Sequence, residues 1–142
     1  MTQQRKPSRP RPLSVIVIDD EPDVAAYLAA VLERQGHVAY TAESAVEGFR
    51  IIKEVKPDVA CIDIVMPEET GAALLRRIRA DEEVSDLPVV FITALKPEMA
   101  MPPVSANTEP ALRPDVFLEK PPTAEAFLAA VEGAARSRQH TP

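Results

Sequence analysis

Short apolar runs alternate along this chain with longer stretches in which apolar residues recur at every third or fourth position. Leu13-Ser14-Val15-Ile16-Val17-Ile18, Val59-Ala60-Cys61-Ile62, Pro88-Val89-Val90-Phe91-Ile92-Thr93 and Asp115-Val116-Phe117-Leu118 have the unbroken apolar content of strands buried on both faces. His37 to Thr41 is a fifth, less apolar run, which suits a sheet edge. Between the runs, Val24, Leu28, Val31 and Leu32 lie at helical spacing behind Pro22, a residue the first turn of a helix tolerates, and Gly36 supplies the stop. Ser44 and Glu47 have capping-box spacing ahead of Phe49, Ile51, Ile52 and Val55, and Pro57 ends that helix. Leu74, Leu75 and Ile78 follow Gly71, with Arg76, Arg77 and Arg79 placed on the wet side. Thr123 caps a last helix whose buried face holds Phe127, Leu128 and Val131.

Strand and helix in alternation with short connections predict an α/β domain, a parallel sheet with helices on both sides. Residues 96–114 break the rhythm. Pro97, Pro102, Pro103, Pro110 and Pro114 leave 104–109 as the longest run free of proline. A helix of that length is roughly 9 Å long, far below the ~12–15 residues at which an isolated helix becomes marginal. Where the alternation asks for a helix between the fourth and fifth strands, a single turn or a Pro-rich loop is expected.

Composition narrows the class. The chain has 142 residues, enough for one compact domain with a proper core, and 46% apolar with 27% charged residues is not a disordered composition. It contains neither an apolar run of membrane-spanning length nor the apolar core of a signal peptide, so a cytoplasmic setting without membrane contact is expected. Cys61 has no second cysteine to pair with and reads as a small buried hydrophobe. Net charge is −6, unevenly spread: residues 1–12 hold Arg5, Lys6, Arg9 and Arg11 and no acid, so the body is more acidic than the whole. An acidic body argues against DNA binding by the folded domain. The leader, with Pro7, Pro10 and Pro12, is expected to be extended and disordered, either merely solvated or touching an acidic partner or nucleic acid.

The candidate chemistry lies where the strands end. Right-handed crossovers put the carboxyl ends of parallel strands on one edge of the sheet. That edge gathers Asp19 and Asp20 from the first strand, Asp63 from the third, Thr93 from the fourth and Lys120 from the fifth. Taken singly, Asp20 or Glu21 reads as a helix cap, Thr93 as a turn residue and Lys120 as a solvated cation. Two carboxylates about 5 Å apart repel by roughly 3 kcal/mol at an effective dielectric near 20, so a cluster of three is a poor device for stability. It suits a hard cation such as Mg2+, which takes one or two carboxylates and keeps waters for an incoming phosphate. With Lys120 opposite, these are the parts for moving a phosphoryl group onto an aspartate, a transfer that depends on positioning and charge neutralisation.

The set Asp19-Asp20-Glu21-Pro22, Asp63-Ile64-Val65-Met66-Pro67 with Gly71, Thr93-Ala94 and Phe117-Leu118-Glu119-Lys120-Pro121 resembles the receiver domain of two-component response regulators, over roughly residues 13–138. The resemblance implies a flavodoxin-like, doubly wound five-stranded sheet in the order 2-1-3-4-5. It makes Asp63 the phosphoacceptor, fed by the phosphohistidine of a sensor histidine kinase or a histidine phosphotransfer protein. It gives Asp20, Asp63 and the backbone carbonyl of Val65 to Mg2+, with Asp19 helping through water, and Thr93 and Lys120 to the phosphoryl oxygens. Phe117 falls at the family's switch aromatic, although a plain core phenylalanine is an equal reading. Two departures stand out. The family's fourth helix is not recognisable in 96–114, which puts the usual output face in doubt. Val65 and Leu95 are apolar where the family tunes water access to the acyl phosphate, which implies slow self-dephosphorylation.

The expectation is therefore a stand-alone phosphoacceptor domain over 13–138, flanked by tails at 1–12 and 139–142, that signals through an unknown downstream protein and is not an enzyme. A receiver fold that docks without phosphorylation is the alternative, and the intact acids argue against it. A Mg2+-dependent phosphatase working through an aspartyl phosphate would carry a second acid two residues after the nucleophile, where this chain has Val65.

Overall fold

The computed structural model describes residues 11–94 and 113–139. Five strands, β1 (Ser14–Ile18), β2 (Val38–Ala42), β3 (Val59–Ile62), β4 (Val89–Thr93) and β5 (Val116–Glu119), form one sheet. Every pairing is parallel and the order is β2-β1-β3-β4-β5, as expected. Four helices are described: α1 (Pro22–Arg34), α2 (Ala45–Val55), α3 (Gly71–Ala80) and α4 (Ala124–Gln139). None is long and apolar enough to cross a membrane. The shortened helix or Pro-rich loop expected at 96–114 falls outside the described residues except for Arg113 and Pro114, and Leu95 and most of both tails do too.

Local chemistry sets the helix ends. The Ser44 and Thr70 hydroxyls accept the amides of Glu47 and Ala73, and Thr123 does the same for Ala126, so three of the four helices begin on a satisfied cap. α1 starts differently: Pro22 stands in its first turn, and Glu21 at the cap makes no side-chain cap bond.

Successive residues of a strand point to opposite faces, and here both faces are covered. Val15 and Val17 of β1 pack with Leu28 and Leu32 of α1 and Phe127 and Val131 of α4. Ile16 and Ile18 pack on the other side with Ile52 of α2 and Leu74, Leu75 and Ile78 of α3. Cys61 lies in the first of these layers, and burial pushes its thiol well above the ordinary range, so it behaves as the inert hydrophobe expected.

Two side chains are placed otherwise than the periodicity suggests. Arg79 is not on the wet face; its side chain is only 6% exposed. Its Nη1 donates to the carbonyls of Ser85 and Leu87 at 3.0 and 2.6 Å, and its Nη2 to Asp115 at 3.3 Å. The guanidinium thus holds the α3–β4 connection against the start of β5. His37 precedes β2 and is buried: its Nδ1 accepts the Leu13 amide, so its Nε2 carries the proton and donates to Glu132 of α4.

Candidate functional site

Strand register assembles the site. β1 and β3 pair through Ile18 and Ile62, and the Asp63 amide continues the ladder to the Ile18 carbonyl at 3.0 Å. The two residues that follow these strands, Asp19 and Asp63, therefore leave the sheet side by side. On the other flank Thr93 pairs with Glu119, and the Lys120 amide donates to the Thr93 carbonyl at 2.8 Å. Lys120 is so delivered to the same edge from β5, ahead of a cis peptide bond to Pro121.

Gly71 closes the approach from below. A Cβ there would lie 2.6 Å from the Asp63 carbonyl oxygen and 2.8 Å from the Ile64 Cα, both of them backbone atoms that cannot swing aside. The Gly71 amide also donates to the Ile64 carbonyl. Gly71→Ala is accordingly expected to cost about 1–3 kcal/mol, the range for overfilling a packed site. It should also move the backbone amide resonances of Asp63 and Val65. Stability within about 0.5 kcal/mol of the parent, as for an ordinary surface substitution, together with unmoved resonances, would contradict this placement.

The Lys120 ammonium stands among three acids, 2.9 Å from Asp19 Oδ2, 3.3 Å from Glu21 Oε1 and 3.4 Å from Asp63 Oδ2. Asp19 and Asp63 are almost fully buried, whereas the Glu21 side chain is 63% exposed. The second oxygens of Asp19 and Asp63 are held as well. Asp19 Oδ1 accepts the Glu21 amide at 2.9 Å, and Asp63 Oδ1 accepts the Val65 amide at 3.1 Å.

Burial pushes the Asp63 carboxyl up from its ordinary 3.8 to about 6. The Lys120 charge works against that rise and the neighbouring Asp19 adds to it. For Lys120, burial works against the ammonium, but the bond to Asp19 and the charges of Asp63 and Asp19 outweigh it, and its pKa is raised. The lysine is therefore a fixed positive charge.

Asp20, Asp63, Val65, Thr93 and Lys120 line a single cavity of about 340 Å3. Carboxylate oxygens of Asp19, Asp20 and Asp63 lie within 4.8 Å of one another. This donor set fits Mg2+ by its chemistry: hard oxygens only, few in number, beside a cavity with room for water.

The sequence places Asp19, Asp20, Asp63, Thr93 and Lys120 together, and the structure brings all five to one edge. Phe117 is half-buried and does not line the cavity; its ring meets Phe91 edge-on, with centroids 6.2 Å apart. One member of the cluster was not anticipated. Glu21, read from the sequence as a possible cap, reaches Lys120 instead, and its only signal was its place directly after two acids.

The family model described as response regulator receiver domain matches residues 15–132. Protein PilH of Pseudomonas aeruginosa is 37% identical over 79 residues, 56% of this chain and 65% of PilH. The phosphate regulon transcriptional regulatory protein PhoB of the same organism is 31% identical over 81 residues, 57% of this chain and 35% of PhoB. The match thus spans less than two thirds of the length of these curated relatives. The solved structure of a sensor protein from Polaromonas sp. JS666 aligns with a TM-score of 0.80 over 91% of this chain and 99% of that one, at 24% identity, a likeness of fold alone.

Proposed function

This chain belongs to the response regulator receiver domain family, and from that premise we propose that it takes a phosphoryl group from a phosphohistidine onto Asp63. The observation that carries the reading is the Asp63 carboxylate, nearly buried at the strand end, with one oxygen toward the Lys120 ammonium and both groups lining one cavity. Family membership makes the domain part of a signalling protein; the donor, a sensor histidine kinase or histidine phosphotransfer protein, belongs to the proposal.

In the step itself, an Asp63 oxygen attacks phosphorus and forms the new P–O bond of a mixed anhydride. The P–N bond breaks, and its electron pair stays on the imidazole nitrogen. Asp20, Asp63 and the Val65 backbone carbonyl would hold Mg2+, with Asp19 acting through water. The ion supplies neutralisation of phosphoryl oxygen charge when bound. Lys120 brings a second positive charge to those oxygens, and the Thr93 hydroxyl donates a hydrogen bond to one of them. Phe117, next to Phe91 on β4, is the side chain whose rotamer would report the occupied state. The acceptor domain is taken as 13–138 with flanking tails at 1–12 and 139–142, and the signal passes on through protein contacts.

Incubation with acetyl phosphate and Mg2+, followed by intact mass measurement, is expected to add one phosphoryl group, labile to hydroxylamine and mapping to the peptide holding Asp63. Failure of the mass to change, or addition elsewhere, would overturn the assignment. Val65 is 54% exposed at the cavity mouth and offers no polar group on its side chain to orient a hydrolytic water. The acyl phosphate is therefore expected to persist for minutes or longer in the purified protein; loss within seconds would count against that part.

A further inference from the structure

The sheet edge opposite Asp63 carries a second groove, of about 310 Å3, between the α2–β3 connection, the α3–β4 connection and Ala135 of α4. Its apolar lining includes Pro57, Leu87 and Pro88, all buried. Its rim is acidic: Asp58, Glu82, Glu83 and Asp86 line it, against the single cation Lys56. Lys53 and Lys56 answer the charge of Glu83. Glu82 and Asp86 are exposed and have no ion-pair partner among the described residues.

The first strand begins beside this groove. Asp58 Oδ2 accepts the Ser14 amide at 2.8 Å, so one wall of the groove is bonded to the first residue of β1. Residues 1–12, one residue ahead of it, carry Arg5, Lys6, Arg9 and Arg11, no acid, and prolines at 7, 10 and 12. We propose that this basic, proline-punctuated segment docks along the acidic groove of its own chain.

Reach and charge both fit. An extended Pro-rich chain advances ~3.1 Å per residue, which carries Arg9 about 12 Å and Lys6 about 22 Å from Leu13. A segment of that reach offers four cations and three prolines to a groove with four acids on its rim and Pro57, Leu87 and Pro88 in its lining. Exposed ion pairs are individually weak, but a covalently tethered segment acts at millimolar effective concentration, so no high intrinsic affinity is needed. The contact is sensitive to salt, because exposed charges are screened beyond about 8 Å at physiological ionic strength.

The test uses the full chain with Thr2→Cys carrying a nitroxide; Cys61 is buried and stays unlabelled. Amide signals of residues 82–87 are expected to lose most of their intensity at low salt. They should recover at 1 M salt, where the screening length is about 3 Å, and in the Glu82→Lys/Asp86→Lys variant. Undiminished groove signals, or the same loss in the charge-reversed variant, would overturn the proposal. So would loss arising only between differently labelled chains, because that is docking on a second copy. Uptake of phosphate from acetyl phosphate should be the same in both variants, since the groove and Asp63 lie on opposite edges; this keeps the test separate from the assignment of Asp63.

Discussion

Asp63→Asn is expected to leave the chain unable to take up a phosphoryl group from acetyl phosphate and, at the same time, to stabilise the metal-free protein above pH 6. Both results follow from one carboxylate. Asn is nearly isosteric and can still accept the Val65 amide, but its amide is no nucleophile, so the added mass should vanish.

The stability effect comes from linkage. The folded-state pKa of Asp63, about 6, exceeds the ordinary 3.8, so between these values the folded protein binds more protons than the unfolded chain. Stability therefore falls as pH rises from about 4 through 6, and the deficit stays in place above that. Asn resembles the protonated carboxyl and escapes the deficit, which comes to about 1–2 kcal/mol after discounting for solvent at the cavity mouth. Urea unfolding without metal, at pH 4.5 and pH 7.5, reads this directly. The variant should gain at the higher pH and little at the lower. A variant less stable than the parent at pH 7.5 would show that the charge is not strained by its surroundings. Mg2+ should narrow the gap by stabilising the parent, the result expected if the acids are kept for a cation at a cost in stability.

The second large effect lies away from the site. Arg79→Ala is expected to destabilise the fold by about 3–5 kcal/mol, the range for removing one member of a buried ion pair. The Asp115 side chain is only 14% exposed, and the substitution takes away its guanidinium together with the donors to the Ser85 and Leu87 carbonyls. Asp115 Oδ2 would still accept the Val89 amide, but that bond does not balance its charge. Arg79→Lys should fall between, because an ammonium cannot reproduce a fork that serves two carbonyls and a carboxylate. A shift in urea midpoint without a change in slope would assign the loss to the native state. A loss below about 1 kcal/mol, typical of exposed pairs, would refute the buried clamp.

Much of this architecture is legible in the sequence, for reasons that particular residues make plain. Ile16, Ile18, Ile62 and Phe91 sit in unbroken apolar runs because both faces of the sheet are covered, and a parallel sheet with short crossovers has few possible arrangements. The five residues at the carboxyl edge were legible because each follows or ends such a run, so register alone brings them together. Arg79 was misplaced because periodicity reports the direction of Cβ, whereas a long side chain can turn back to reach Ser85, Leu87 and Asp115. Glu21 was missed as a partner of Lys120 because they are 99 residues apart, and nothing local tells a cap from a counter-ion. His37 was hidden in the same way: its partners Leu13 and Glu132 come from opposite ends of the chain.

Among the described residues the sheet also divides the buried apolar side chains into two clusters, one with α1 and α4, the other with α2 and α3. Truncations at Leu28 and at Leu75 empty space in different clusters on opposite faces of the sheet, so their penalties are expected to be additive within a few tenths of a kcal/mol. Sequence drift in one half can then proceed with little regard to the other. The exceptions are the residues at the ends of the shared strands, where a displacement on either side moves Asp19 against Asp63.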